Sequence, residues 1–170
     1  AHLLYHFIWG TFCDWYLEFC KPKFTGGEAE KRETQQTVAW VLDRILRLLH
    51  PFMPFLTEVL WKNLHPEAGL LMGALWPDAQ EIPYPEVSKD VDWLIQVISE
   101  VRSVRTEMNV SPASYLTLSF YDAGPETHRR MREYEDLLLK LARLEHIKVF
   151  SEPLTPQEAI GAAQVVISES

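Results

Sequence analysis

Several features that define whole classes of proteins are scarce in this sequence of 170 residues. Its only cysteines, Cys13 and Cys20, lie seven positions apart, too far along a helix for an unstrained disulfide. No run of about 18 uncharged apolar residues is available to span a bilayer. The first residues also lack the basic start and small-residue cleavage site of a signal peptide. These absences predict a cytoplasmic protein that does not associate with membranes.

Motifs that mark catalysis are missing as well. The sequence has no glycine-rich phosphate loop, no nucleophile elbow and no His-Glu-x-x-His pair. Of its six histidines, His2 and His6 are four residues apart, but no third zinc ligand accompanies them. We therefore expect no catalytic residue, no metal site and no cofactor in this chain.

What is present is the composition of a globular domain. Hydrophobic residues make up 47% and charged residues 24% of the chain, which is enough to bury a core. The net charge is −8, so binding to a nucleic acid would have to depend on a local basic patch. Charge alone would argue against RNA or DNA as a partner.

Apolar residues recur at three- and four-residue steps in the first part of the chain, which predicts three helices at 4–19, 28–49 and 54–64. The first should end at Lys21 and Pro22. The core side of the third should carry Phe55, Leu56, Val59, Leu60 and Leu64. We also expect Trp61 and Trp76 to be buried, with Trp76 anchoring a proline-rich connector, 67–86, on the helices.

The remaining chain changes its periodicity. A fourth helix is predicted from an N-cap at Ser88, with core positions at Val91, Leu94, Ile98, Val101 and Met108. Alternation predicts a strand at 115–121, and Gly124-Pro125 predicts the start of a helix. Short further strands are expected at 147–150 and 164–167. The sequence thus predicts a mainly α protein: a helical bundle over 1–112 and a small β-α-β-β subdomain over 113–170.

Two surfaces combine the residue types that bind RNA. The first, at the end of the first helix, contains Trp15, Tyr16, Lys21, Lys23 and Phe24; aromatic rings stack on unpaired bases and lysines hold phosphates. A place in the core is the alternative for Trp15 and Tyr16, since both lie on the apolar stripe.

The second surface lies on the fourth helix, where Arg102, Arg105 and Asn109 share one face opposite the predicted core stripe. Arginine forks bind phosphates and asparagine reads adenine edges. The alternative is a solvated face with ion pairs to Glu100 or Glu107. A further basic cluster is interleaved with glutamates and is interpreted as a solvated face: Arg129, Arg130 and Arg132.

Four segments carry a resemblance to a known family: Phe-Cys-Asp-Trp-Tyr-Leu-Glu at 12–18, Leu-Leu-His-Pro-Phe-Met-Pro-Phe-Leu-Thr-Glu at 48–58, Trp-Pro at 76–77, and the arginine-containing run at 101–112 that includes Glu-Met-Asn. In this order they resemble the anticodon-binding domain of bacterial valyl-tRNA synthetases. The resemblance runs from about Leu3 to 144–147.

The resemblance implies a monomeric module that binds the anticodon stem-loop of tRNA(Val) beside the rest of a synthetase chain. The family's ATP-binding signatures, His-x-Gly-His and Lys-Met-Ser-Lys-Ser, are absent, so we expect no ligase activity from this chain and assign ATP to the parent enzyme's catalytic domain. The family domain has helices before the position of Leu3 and a coiled coil after that of Ser170, so we expect an N-terminally truncated bundle. A protein-interaction domain without RNA binding is the alternative.

Overall fold

The chain divides into two compact units, Ala1–Ile82 and Pro83–Ser170. The computed structural model describes residues 1–79, 84–157, 159–160 and 162–167. The sequence predicted a boundary after residue 112, whereas the observed division assigns the predicted fourth helix to the second unit. The reason is that this helix packs against elements that follow it, as described below. Among the described residues, no helix is both long and apolar enough to cross a membrane.

The first unit begins with one continuous helical stretch. It consists of α1 (His2–His6), a π-helical segment (Phe7–Tyr16) and α2 (Leu17–Phe24). The prediction that the helix ends at Lys21 and Pro22 is wrong, because Pro22 lies inside α2. Proline at this position removes one backbone donor, and α2 continues for two residues beyond it, to Phe24.

Helices α3 (Glu28–Leu49) and α4 (Pro54–Leu64) confirm the two predicted helices that follow. Glu28 and Glu30 lie in the first turn of α3, where negative charge is favourable, and Pro54 starts α4 with its φ already suited to a helix. Between the two helices, the His50 ring is 2.9 Å from the buried hydroxyl of Thr57.

The predicted core side of α4 is largely wrong. Thr57 and Trp61, one turn apart, are the buried residues of α4, and Trp61 packs with Leu46 and Leu71. The apolar side chains on the rest of the helix circumference are exposed, at 89% for Phe55 and 62% for Val59. Leu56 and Leu60 are exposed too, while Leu64 packs against the core cluster as predicted.

The part of the connector around Leu71 and Ala74 packs against the core of the first unit, as the sequence predicts. A short 3₁₀ helix, Leu71–Gly73, begins where the Glu58 carboxylate accepts hydrogen bonds from the backbone amides of Leu71 and Met72, both at 3.0 Å. These bonds, that from Leu71 first, lower the pKa of Glu58. Trp61 is buried, as predicted, but Trp76 is 60% exposed, so the prediction for Trp76 is wrong. Residues 80–83 of the predicted connector lie outside the described residues.

Helix α5 (Pro85–Glu107) opens the second unit. It starts at Pro85, three residues before the predicted N-cap Ser88. Its core side contains Leu94, Ile98 and Val101, as predicted, but Met108 is 61% exposed because the helix ends before it. The side chains that complete the buried face are Trp93 and Val97.

A β-α-β unit follows α5. Strands β1 (Leu116–Phe120) and β2 (Leu144–Val149) pair in parallel, joined by α6 (Pro125–Leu141). Trp93 of α5 stacks on Phe120 of β1 with ring centroids 5.8 Å apart, which places α5 on this unit. Residues 164–167 have no regular structure, so the third strand predicted there is wrong and the tail is β-α-β rather than β-α-β-β.

Candidate nucleic-acid interface

The aromatic residues of the first candidate surface are half-buried. Trp15 packs against Phe19 and Tyr16 stacks on Phe12, with ring centroids 6.0 and 5.7 Å apart. Burial, followed by the neighbouring Cys20 thiol with which its hydroxyl is hydrogen-bonded, raises the pKa of Tyr16 to about 12. The alternative of a place in the core therefore applies in part: these rings belong to the packing of the helix and retain some exposed surface.

The lysines of this surface lie at the C-terminal end of α2, where positive charge is favoured by the helix dipole. Lys21 forms an ion pair with Glu18, and the Lys21 side chain is 65% exposed. Such exposed pairs contribute little, so a phosphate could compete for the ammonium group. Lys23 is exposed and Phe24 is half-buried at the helix end. We call Trp15, Tyr16, Lys21, Lys23 and Phe24 the aromatic–lysine surface.

The second candidate surface, which we call the α5 ridge, consists of Arg102, Arg105 and Asn109. Arg102 is exposed and donates from Nη2 to the Leu141 carbonyl at 3.2 Å. Asn109 is exposed just beyond α5, with a left-handed backbone at φ 52°. Arg105 is only 8% exposed, so the prediction that all three share a face free of core residues is wrong for Arg105.

The buried guanidinium of Arg105 holds together parts of the chain that are distant in sequence. Its Nη2 donates to the carbonyls of Ser111 and Ser114 at 3.0 and 2.5 Å, and its Nη1 donates to the Arg143 carbonyl at 3.5 Å. We call these three carbonyls the Arg105 junction. Arg105 therefore positions the end of α5, the loop before β1 and the turn before β2 relative to one another.

Two residues near this junction were not singled out by sequence reasoning. Arg143 is exposed between α6 and β2, and its Nη1 donates to the Pro112 carbonyl at 2.7 Å. Tyr115 is 63% exposed immediately before β1. No signal in the sequence connects them to the α5 ridge, because the contact depends on the pairing of β1 with β2.

Comparison with known proteins agrees with the resemblance described above. A family model described as "Anticodon-binding domain of tRNA ligase" matches residues 1–119. The chain belongs to this family.

Curated relatives of this anticodon-binding domain are named valine–tRNA ligases. The relative from Caulobacter vibrioides is 44% identical over 97% of this chain and 20% of its own length. Those from Rhizobium meliloti and Bartonella henselae are 43% and 46% identical over 100% and 96% of this chain, and 18% and 19% of their own lengths. The chain thus spans about a fifth of the length of the curated relatives it matches.

In the second unit of this anticodon-binding domain, the arginines of α6 differ from the predicted solvated face. Arg130 is 3% exposed and donates from Nε to Oδ1 of the buried Asp90 at 2.9 Å, while Arg129 donates to the same oxygen at 2.6 Å. These arginines, Arg129 first, hold the pKa of Asp90 below its ordinary value. The solvated-face interpretation is therefore wrong for Arg130. Of the three arginines, Arg129 is half-buried and Arg132 is exposed.

Metal-ligating side chains form no cluster among the described residues. In the ranges that the structure describes, no three His, Cys, Asp or Glu side chains converge as ligands of an ion. The pair at the start of the chain, His2 and His6, lies on the surface with the two Nε2 atoms 2.9 Å apart.

Proposed function

We propose that this chain is the anticodon-arm recognition module of a valine–tRNA ligase. In this role it binds the anticodon stem-loop of tRNA(Val) while a catalytic domain elsewhere in a longer synthetase chain attaches valine. The observation that carries the proposal is the family match over residues 1–119, which includes both candidate surfaces. The names of the relatives, which cover nearly the whole chain, support valine as the amino acid.

We propose that each of the two surfaces combines contacts to phosphates with contacts to bases. Lys21 and Lys23 supply phosphate contacts, and Phe24 offers a ring edge or face to an unpaired base, with Trp15 and Tyr16 as supporting or stacking residues. This assignment is supported by the exposure of both lysines in a chain whose overall charge of −8 repels RNA.

On the α5 ridge, the exposed residues have separate roles. Arg102 contacts phosphate, and Asn109 reads a base edge through its amide, which carries no charge. Arg105, predicted from the sequence as a third contact, is buried on three carbonyls. Its contribution to RNA binding is accordingly to position its neighbours.

The proposal leaves catalysis to another part of the synthetase. ATP-dependent activation of valine belongs to the catalytic domain of the parent enzyme, in the cytoplasm, and the present chain acts as a monomeric binding module. Valine-dependent pyrophosphate exchange by the 170-residue chain should stay at the buffer level. Exchange well above buffer would contradict this division of labour.

RNA binding is tested by fluorescence anisotropy with a labelled valine-type anticodon stem-loop, titrated at several salt concentrations. Affinity should fall with salt, and Lys21→Gln with Lys23→Gln should lower the slope of log affinity against log salt by about 0.7 for each phosphate that the protein no longer neutralises. Lys62→Gln, which removes one exposed charge from α4, is the matched control and should leave the slope unchanged. Binding that does not respond to salt would contradict the proposal.

A further inference from the structure

The Arg105 junction brings three separate chain segments to one place. Arg105 of α5 reaches the carbonyls of Ser111 and Ser114 in the loop before β1, and that of Arg143 after α6. The Arg143 carbonyl also accepts the backbone amide of Leu116 at 3.3 Å. Because Tyr115 precedes Leu116 directly, Tyr115 and Arg143 are neighbours across the start of the β1–β2 pair.

The side chains around this junction include the types that bind single-stranded RNA. Arg143 is exposed and Tyr115 is 63% exposed. Arg102 joins them, since its guanidinium contacts the carbonyl of Leu141, two residues before Arg143. Arginines hold phosphates and an exposed tyrosine ring stacks on a base.

The backbone of Arg143 supports a role for its side chain. Arg143 has φ 52° just past the end of α6, a conformation in which glycine is the usual residue because it has no Cβ. An arginine occupies this position although glycine would fit without strain. Strained backbone of this kind is found at functional positions.

Two acidic residues close to the junction contact other side chains. Glu107, at the end of α5, accepts a hydrogen bond from Ser103, and Glu145 lies 3.9 Å from the ring of His146. Three arginines lie at the junction, and two of them, Arg102 and Arg143, are exposed.

We propose that Arg143 and Tyr115 extend the α5 ridge into one surface for single-stranded RNA. Arg143 and Arg102 bind phosphates and Tyr115 stacks on an unpaired base. The buried Arg105 holds the backbone at Arg143 and at Ser114, the residue before Tyr115. This proposal rests on the proposed function, and it adds contacts that lie partly beyond residues 1–119, the range of the family match.

The test uses the 170-residue chain, a labelled valine-type anticodon stem-loop and anisotropy titrations over a range of salt. Arg143→Gly removes the side chain and its hydrogen bond to the Pro112 carbonyl but suits the left-handed backbone, so the variant should still fold, with a thermal midpoint measured beside that of wild type. Its slope of log affinity against log salt should be lower by about 0.7, the value for one phosphate contact on a single strand. Tyr115→Ser should weaken binding about fivefold or more at each salt concentration without changing the slope.

Arg132→Gln is the matched control, because it removes one exposed positive charge from α6 in the same unit. It should leave affinity and slope at wild-type values. If the glycine variant does not fold, Arg143→Gln takes its place. Arg143→Lys retains the positive charge, so its slope of log affinity against log salt should equal that of wild type.

The outcomes separate this inference from the proposed function. If wild type binds the stem-loop and the Arg143 and Tyr115 variants bind with the same affinity and slope, the extended surface is refuted while the proposed function stands. If wild type does not bind the stem-loop at all, the proposed function fails and this inference fails with it. A weakening of binding in the Arg132 control equal to that in the Arg143 variant would also overturn the inference, since a general charge effect would explain both.

Discussion

Replacing Arg105 by alanine should destabilise the second unit by about 3 kcal/mol, since hydrogen bonds from a charged donor are worth about 1.5 to 3 kcal/mol each. Three carbonyls are deprived of a donor, but the effect is less than additive. Ser111 O still accepts the amide of Ser114 and Arg143 O still accepts that of Leu116. The Ser114 carbonyl, by contrast, loses its hydrogen bond from Arg105 at 2.5 Å. The cost is therefore close to that of one strong bond together with the weakening of two others.

Arg102→Ala is the matched control, because Arg102 is exposed and makes a hydrogen bond of 3.2 Å to a carbonyl, that of Leu141. Its effect should be about 1 kcal/mol or less. Urea unfolding followed by circular dichroism measures both variants, and hydrogen exchange of the β1 and β2 amides locates the effect in the second unit. In thermal unfolding the Arg105 variant should melt about 10 °C or more below wild type for a unit of this size. Equal stability of the two variants would refute the positioning role of Arg105.

Three further predictions concern other parts of the chain. Trp61→Ala should cost about 3 to 5 kcal/mol in urea unfolding, whereas Trp76→Ala, at a side chain 60% exposed, should cost about 1 kcal/mol or less; equal costs would contradict the observed packing. Because the pKa of Asp90 is lowered, its stabilising effect is present above its unfolded pKa and is lost as pH falls through the folded value. In a series of urea unfolding midpoints measured at decreasing pH, the midpoint of Asp90→Asn should therefore fall less than that of wild type. An equal fall in both proteins would contradict this prediction. Glu58→Gln should speed hydrogen exchange at the two connector amides that donate to the carboxylate, and unchanged rates there would show that the carboxylate does not hold the connector.

Most of the regular elements could be predicted because their signals are local. Pro54 and Pro125 occupy the first positions of α4 and α6, and glutamates mark the first turn of α3. The start of α5 was misplaced since Ser88 is a plausible N-cap, although Pro85 already begins the helix. The strand predicted at 164–167 is rich in β-branched residues, but a strand also needs a neighbour to pair with, and composition does not reveal one.

Burial was harder to predict than secondary structure. Large hydrophobic side chains are spread around much of α4, so the pattern alone does not say that Thr57 and Trp61 take the inward face while Phe55 faces outward. Arg105 follows Val101 by four residues and so continues the buried stripe of α5, which the predicted exposed ridge overlooked. Its partners come from positions 111, 114 and 143. Those contacts depend on how β1 and β2 pair, which no spacing within α5 encodes.

The most direct test of the central proposal compares two stem-loops with the same stem and different anticodons, one of the valine type and one unrelated. The 170-residue chain is titrated with each, and binding is followed by anisotropy at a fixed, stated salt concentration. An anticodon-arm recognition module should bind the valine-type loop at least about tenfold more tightly, equivalent to about 1.4 kcal/mol. Equal affinity for the two loops, or no binding to either, would contradict anticodon recognition by this chain.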